Sequence, residues 1–250
     1  MLHTKDIYFA SADGTQLHGW YLPAKGQAKQ TVLFLHGNAL NISVQLAAVY
    51  WLADYDYDVY IFDYRGYGRS GGEVSLPGAI SDIDAAIKYV ATNKRVDGKF
   101  IVFGQSLGAS MGIYALSHSE IKDDIAAYLS LAAFDDYREI TRDFLSRQWY
   151  TWPVQWPLSL TVDNRYRPLD YIAEISPIPI YILHGEDDQT IEMKHAKSLF
   201  AAAAPPKYFV KLKNGHNTIF QSQDNRLQIL HILDKFTRQR FVKREKQAAN

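Results

Sequence analysis

The 250 residues contain no cysteine, so disulfide frameworks, thiolate nucleophiles and cysteine-ligated metals are excluded. A chain without cysteine suits an oxidising or a reducing compartment equally, and its location stays open on this ground. An excess of one charge is also missing, because 27 Lys and Arg balance 27 Asp and Glu. No global field gathers nucleic acid or an anionic membrane, and a small uncharged or amphipathic substrate fits better. There is no run long and apolar enough to span a bilayer, and the start, Met1-Leu-His-Thr-Lys-Asp, lacks the apolar core of a signal peptide. As given, the chain reads as soluble. Cytoplasm and periplasm are both open, as is an N-terminal anchor trimmed from a longer precursor. No group of His, Asp and Glu has metal-site spacing, so neither a metal nor a cofactor is expected. The oligomeric state is not readable from these residues.

Apolar residues make up 47% of the chain and charged residues 22%, enough to bury one large core, so residues 1–250 read as a single α/β domain. From Ile7 to Leu22 apolar residues alternate around Asp13-Gly14, which predicts an antiparallel hairpin. The rhythm then changes. Short β-branched and aromatic runs at Thr31–Leu35, Val59–Asp63, Phe100–Phe103, Ala127–Leu131, Ile178–Leu183 and Tyr208–Leu212 alternate with segments of helical period. Those helices are expected at Ile42–Leu52, Ala79–Asn93, Leu107–His118, Met193–Ala203 and Asp224–Arg240. Such alternation predicts a mainly parallel central sheet with helices on both faces. One stretch breaks the pattern. Residues 134–168, with Trp149, Tyr150, Trp152, Trp156, Pro153 and Pro157, are too long for a simple loop and read as a small aromatic-rich lid.

Gly104-Gln-Ser106-Leu-Gly108 lies between the apolar strand Phe100–Phe103 and a plausible helix. That is the strand, sharp turn and helix a nucleophile elbow requires: glycines remove Cβ atoms where strand and helix crowd, and the serine stands above the sheet. The Leu107 amide, in the first turn of that helix, can stabilise a developing oxyanion. The buried strand ending at His36-Gly37-Asn38-Ala39 reaches the same carboxyl edge of the sheet, and the Asn38 amide is the second candidate donor. The plainer reading of this loop is a strand-to-helix turn with Asn41 as helix cap. Asp63 and Arg65 in the glycine-rich turn Asp63–Gly71 read as structural pins, and that turn matches no phosphate-binding pattern.

A serine hydroxyl needs a histidine to take its proton and a carboxylate to hold that histidine's tautomer. Three carboxylates follow the strand at Tyr181–His184: Glu186, Asp187 and Asp188. Asp188, four residues after His184, fits best as the acid, with Asp187 the neighbour that competes for the role. Capping of the next helix is the alternative use of these acids. After the last strand, Gly215-His216-Asn217 supplies a histidine in a polar loop and in the required chain order, so His216 is the candidate base.

These five motifs occur in an order that resembles the α/β-hydrolase superfamily over nearly the whole chain. The His36-Gly-Asn-Ala loop with Asp63-Tyr-Arg-Gly-Tyr-Gly is similar to the small-lid serine hydrolase branch of bacterial esterases and lysophospholipase-like proteins, related to eukaryotic depalmitoylases. The resemblance implies hydrolysis of acyl esters or thioesters through an acyl-enzyme, with Ser106, His216 and Asp188 as triad and the amides of Asn38 and Leu107 as oxyanion hole. It implies no particular substrate. Dehalogenase and epoxide-hydrolase chemistry would need an aspartate where Ser106 stands. A serine peptidase of the same fold, and a binding protein that keeps the fold without catalysis, are the alternatives. The lid aromatics have three readings: packing within the lid, an acyl pocket, or a lipid interface. The basic tail, Arg238 to Lys246, reads as the solvated end of the last helix.

Overall fold

The computed structural model describes residues 4–38, 41–147 and 149–248, with side chains described as far as Thr237. Two antiparallel strands, β1 (Lys5–Ala10) and β2 (Gln16–Leu22), open the chain as the Asp13-Gly14 turn predicts. Six more strands follow: β3 (Gln30–Leu35), β4 (Tyr57–Phe62), β5 (Phe100–Gln105), β6 (Ile125–Leu131), β7 (Ile180–Gly185) and β8 (Lys207–Leu212). They form one sheet in the order β1-β2-β4-β3-β5-β6-β7-β8. From β4 to β8 all neighbours are parallel.

The helices are α1 (Ile42–Gln45), α2 (Leu76–Asn93), α3 (Leu107–Ser117), α4 (Tyr137–Ser146), α5 (Gln155–Leu160), α6 (Pro168–Tyr171), α7 (Met193–Ala202) and α8 (Gln223–Ala248). Because successive side chains of a strand point to opposite faces, the sheet has two cores. Leu33, Leu35, Val102 and Ile182 pack with Ile83 of α2, Leu116 of α3 and Leu199 of α7. Val32, Phe34, Ile101 and Leu183 pack on the other face with Trp51, Leu52 and Leu233 of α8. Near-continuous apolar strands are what a sheet covered on both sides demands.

The predicted helix Ile42–Leu52 is instead one α-helical turn followed by 3-10 turns at Leu46–Ala48 and Tyr50–Tyr55. Val49, Trp51, Leu52 and Ala53 are all buried. At about 100° per residue, Val49 and Trp51 would stand on nearly opposite sides of a regular helix; breaking the helix lets both reach the core. Elsewhere the ends shift only: Ser75 caps α2 three residues earlier than expected, with Pro77 in its first turn, and α8 continues past Arg240 to Ala248. Residues 134–168 form an insertion between β6 and β7 that carries α4 and α5. Among the described residues no helix is long and apolar enough to cross a membrane.

Candidate active site

Ser106 stands between β5 and α3 with φ 53° and ψ −121°, a conformation that costs a non-glycine residue about 1–3 kcal/mol and persists only where its surroundings impose it. The surroundings are explicit. The Ser106 amide donates to Leu131 O of β6 at 2.8 Å, and Ser106 O accepts from the Ser110 amide at 3.0 Å in the first turn of α3. A Cβ on Gly104 would lie 2.6 Å from Ala109 Cα, and one on Gly108 would lie 2.3 Å from His36 O. Only glycine at these two positions lets the helix leave the strand so sharply. The elbow also puts the Leu107 amide in the first turn of α3, where amides have no acceptor within the helix.

The loop after β3 runs against this serine. A Cβ on Gly37 would stand 3.3 Å from Ser106 Cβ and 3.9 Å from its Oγ, so the backbone entering Asn38 passes beside the hydroxyl. Several contacts fix it. His36 Nδ1 lies 2.8 Å from Gly37 O. Burial holds the His36 pKa down at about 4, so the ring is neutral at physiological pH and donates from Nδ1. Tyr64 Oη donates to His36 O at 3.0 Å, and Tyr67 Oη donates to Asn38 Oδ1 at 3.1 Å. Asn41 caps α1 through the Ser43 amide, so the capping role read for it stands alongside the loop's place at Ser106. Asp63 Oδ1 accepts from the Ile42 amide at 2.9 Å. Arg65 binds the buried Asp82 and reaches Asp13 of the opening hairpin at 2.7 Å. Both residues therefore pin loops, as their sequence setting suggested.

Asp188 and His216 are brought together from loops 28 residues apart: Asp188 Oδ2 lies 2.7 Å from His216 Nδ1. The other oxygen, Oδ1, accepts from the amides of Thr190 and Ile191 at 2.8 and 2.9 Å. One buried carboxylate thus shapes its own loop with one oxygen and orients the histidine with the other. Glu192, at the start of α7, makes no side-chain cap. Burial pushes the Asp188 carboxyl upward, but the His216 hydrogen bond and charge, the Ile191 amide and His184 outweigh it and leave its pKa lowered. Asp187 is exposed and its amide donates to Asn214 O. The loops after β7 and β8 are therefore joined by backbone as well as by the Asp188–His216 contact. Among the described residues no hydrogen bond joins Ser106 to His216; such bonds often tighten only when substrate is bound.

One buried polar cluster escaped sequence reasoning. His195, fully buried in α7, lies 2.6 Å from Asp135 Oδ1 through Nδ1 and 3.0 Å from Asp143 Oδ2 through Nε2. Lys194 Nζ lies 2.9 Å from Asp143 and 3.2 Å from Glu139. The recurrence of Asp135, Glu139 and Asp143 at four-residue steps is the signal that could have found it. Asp135, Glu139 and His195 come within metal-ligand range of one another. The fit to a cation is poor, because both His195 nitrogens face carboxylates and an ammonium already stands in the cluster. Burial opposes charge on His195, yet the Asp135 and Asp143 contacts win and raise its pKa. Only an imidazolium donates from both nitrogens.

An eight-stranded, mainly parallel sheet with a strained serine at its carboxyl edge defines the class of α/β hydrolases. The family model described as serine aminopeptidase, S33, matches residues 26–171, more than half of the chain, and the chain belongs to this hydrolase family. The chain is 30% identical over 218 residues to the uncharacterized protein YfhR of Escherichia coli K12, covering 85% of this chain and 73% of the relative. It is also 30% identical over 225 residues to the alpha/beta hydrolase domain-containing protein WAV2 of Arabidopsis thaliana, covering 84% and 71%. Among solved structures, the α/β hydrolase GrgF from Penicillium sp. sh18 superposes with a TM-score of 0.73 at 20% identity, over 95% of this chain and 99% of that one. The Pyrococcus furiosus esterase Pf2001 gives 0.72 at 21% identity, over 95% and 93%. These structures share the α/β-hydrolase fold.

Proposed function

We propose that this hydrolase cleaves carboxylic ester or thioester bonds through an acyl-enzyme on Ser106. The observation that carries the reading is the Asp188–His216 contact of 2.7 Å at the same sheet edge as a serine held in the strained elbow conformation. In the proposed step Ser106 Oγ attacks the carbonyl carbon while its proton passes to His216 Nε2. The carbonyl oxygen becomes an oxyanion between the amides of Asn38 and Leu107, and two such donors are typical of this chemistry. Collapse breaks the bond to the leaving group, which takes the proton from His216. Water, deprotonated by the same histidine, then attacks the acyl-serine and releases the acid. Asp188 holds the proton on Nδ1 so that Nε2 faces the serine as acceptor. No cofactor enters these steps.

The experiment is hydrolysis of p-nitrophenyl butyrate, with labelling by a fluorophosphonate probe. Ser106→Ala should lose both; retention of full activity and labelling would refute the assignment. The family description favours a second reading, an aminopeptidase on the same residues. Release of nitroaniline from aminoacyl p-nitroanilides, at rates above those for the esters, would select it.

A further inference from the structure

We propose that the face formed by residues 144–147 and 149–160 docks on a lipid bilayer carrying anionic headgroups. Three of the chain's five tryptophans lie here, and all three are turned outward. Trp149 is 85% exposed, Trp156 63% and Trp152 60%, with Tyr150 and Leu160 at 63% and 60% beside them. By contrast, Trp51 is buried in the core. Contacts within the insertion, Trp149 against Tyr150 and Arg142 over Trp156, leave most of each tryptophan open. Large apolar side chains concentrated on one exposed face mark an interaction surface rather than ordinary surface composition.

Charge selects the partner. From Phe144 to Val162 the sequence contains no Asp or Glu, and its one charged residue is Arg147. The Arg147 guanidinium lies 5.1 Å over Phe144, and that of Arg142 lies 4.6 Å over Trp156. Tryptophan and tyrosine combine an apolar body with a hydrogen-bonding edge and settle where acyl chains meet headgroups, and arginine beside them meets phosphate. The carboxylates that flank this stretch, Asp143 and Asp163, are paired with Lys194 and His195 and with Arg165, so the aromatic face with its rim arginines is complementary to an anionic bilayer. It lies next to the candidate site: Arg147 Nη2 donates to Thr190 O at 2.8 Å, and the Thr190 amide is bonded to Asp188. The insertion and the acid loop are thus attached, and docking would bring the carboxyl edge of the sheet close to the membrane.

The proposal does not depend on the ester chemistry, and its test uses the full chain carrying Ser106→Ala, so that no lipid is consumed. Flotation with vesicles of phosphatidylcholine containing 30% phosphatidylglycerol, a composition on the order of an anionic membrane surface, is compared with pure phosphatidylcholine. Partition should be at least about tenfold stronger to the anionic vesicles. It should fall at least about tenfold when Trp149, Trp152 and Trp156 are replaced together by serine; it should also weaken as salt is added, a dependence that Arg142→Gln and Arg147→Gln together reduce. Circular dichroism and gel filtration confirm that the variants stay folded. Equal binding by the tryptophan variant overturns the proposal, and so does absence of binding by the parent at low salt. A concentration-dependent dimer lost in the tryptophan variant, without vesicle binding, would assign the face to a second copy of the chain and also overturn it.

Discussion

Asp188→Asn separates the two jobs that the structure gives this carboxylate. The asparagine oxygen can keep the Thr190 and Ile191 amides that Oδ1 now holds at 2.8 and 2.9 Å. Its NH2 then faces His216 Nδ1, 2.7 Å from the present Oδ2. An NH2 can only donate, so Nδ1 must become the acceptor and the ring proton moves to Nε2, the nitrogen that receives the serine proton in the proposed mechanism. On the serine-histidine-aspartate template this wrong tautomer costs about 10⁴ in kcat, or roughly 5.4 kcal/mol of transition-state stabilisation. The fold loses far less. A charge-assisted hydrogen bond of about 1.5–3 kcal/mol is exchanged for a neutral one of about 1, a net cost near 2 kcal/mol or below, or up to about 8 °C in Tm for a chain of this size.

Asp188→Ala differs in kind. It orphans the two amides and the imidazole N–H together, at about 1–3 kcal/mol each, so folding and activity fall together. Asp187→Asn, on an exposed side chain, should leave kcat within about twofold. The assay is kcat for p-nitrophenyl butyrate at neutral pH beside a thermal melt for each variant. The reasoning is refuted if Asp188→Asn keeps activity within tenfold of the parent, or if Asp187→Asn produces the large loss.

His195→Gln should remove an alkaline loss of stability. Because the folded-state pKa of His195 is raised, its contribution is complete below the ordinary histidine value of about 6.5 and disappears as pH rises through the raised value. Asp188 and Asp135 are lowered. Their contributions are present above the ordinary carboxyl value of about 3.9 and disappear as pH falls through the lowered ones. A Tm–pH profile of parent minus variant should therefore decline above about pH 6.5; a flat difference would exclude the charged His195. Gly108→Ala should cost about 3 kcal/mol or more in a denaturant melt, because its Cβ meets the backbone oxygens of His36 and Leu35 at 2.3 and 2.4 Å. A melt unchanged within 0.5 kcal/mol, on the order of a neutral surface substitution, would show that the elbow relaxes freely.

What was legible in the sequence is local. The elbow motif, the His36-Gly37 turn and the Gly215-His216 turn each combine a strand end with glycines, and a parallel sheet brings strand ends to one edge. Asp188 was favoured over Asp187 by its spacing from His184; in the structure Asp187 is exposed and Asp188 reaches His216. The broken helix after Asn41 was not legible, because helical period records apolar spacing but not the core that Val49 and Trp51 must both enter. The outward turn of Trp149, Trp152 and Trp156 was hidden for the same reason: composition says that rings are present, not which way they face. His195 and Asp135 are 60 residues apart, and nothing local links them.

That long-range cluster bears directly on how the site is held. Asp135, Glu139 and Asp143 belong to the start of the insertion, whereas Lys194 and His195 belong to α7 just after the 185–191 loop. Two cations face Asp135, Glu139, Asp143 and, at 3.8 Å from Lys194, Glu192, so negative charge is in excess, the cluster favours the protonated imidazole and it ties the insertion to α7 most firmly when His195 is charged. Arg147 adds a second attachment at Thr190 O. The 185–191 loop is therefore held to the insertion near its end, at Thr190 and just beyond it at Lys194 and His195, and its Asp188 oxygens divide between Thr190, Ile191 and His216. The contacts run from Arg147 to Thr190 and then, through the shared carboxylate, to His216. This route gives an exposed aromatic face a physical connection to the candidate base, by hydrogen bonds that can each be removed singly.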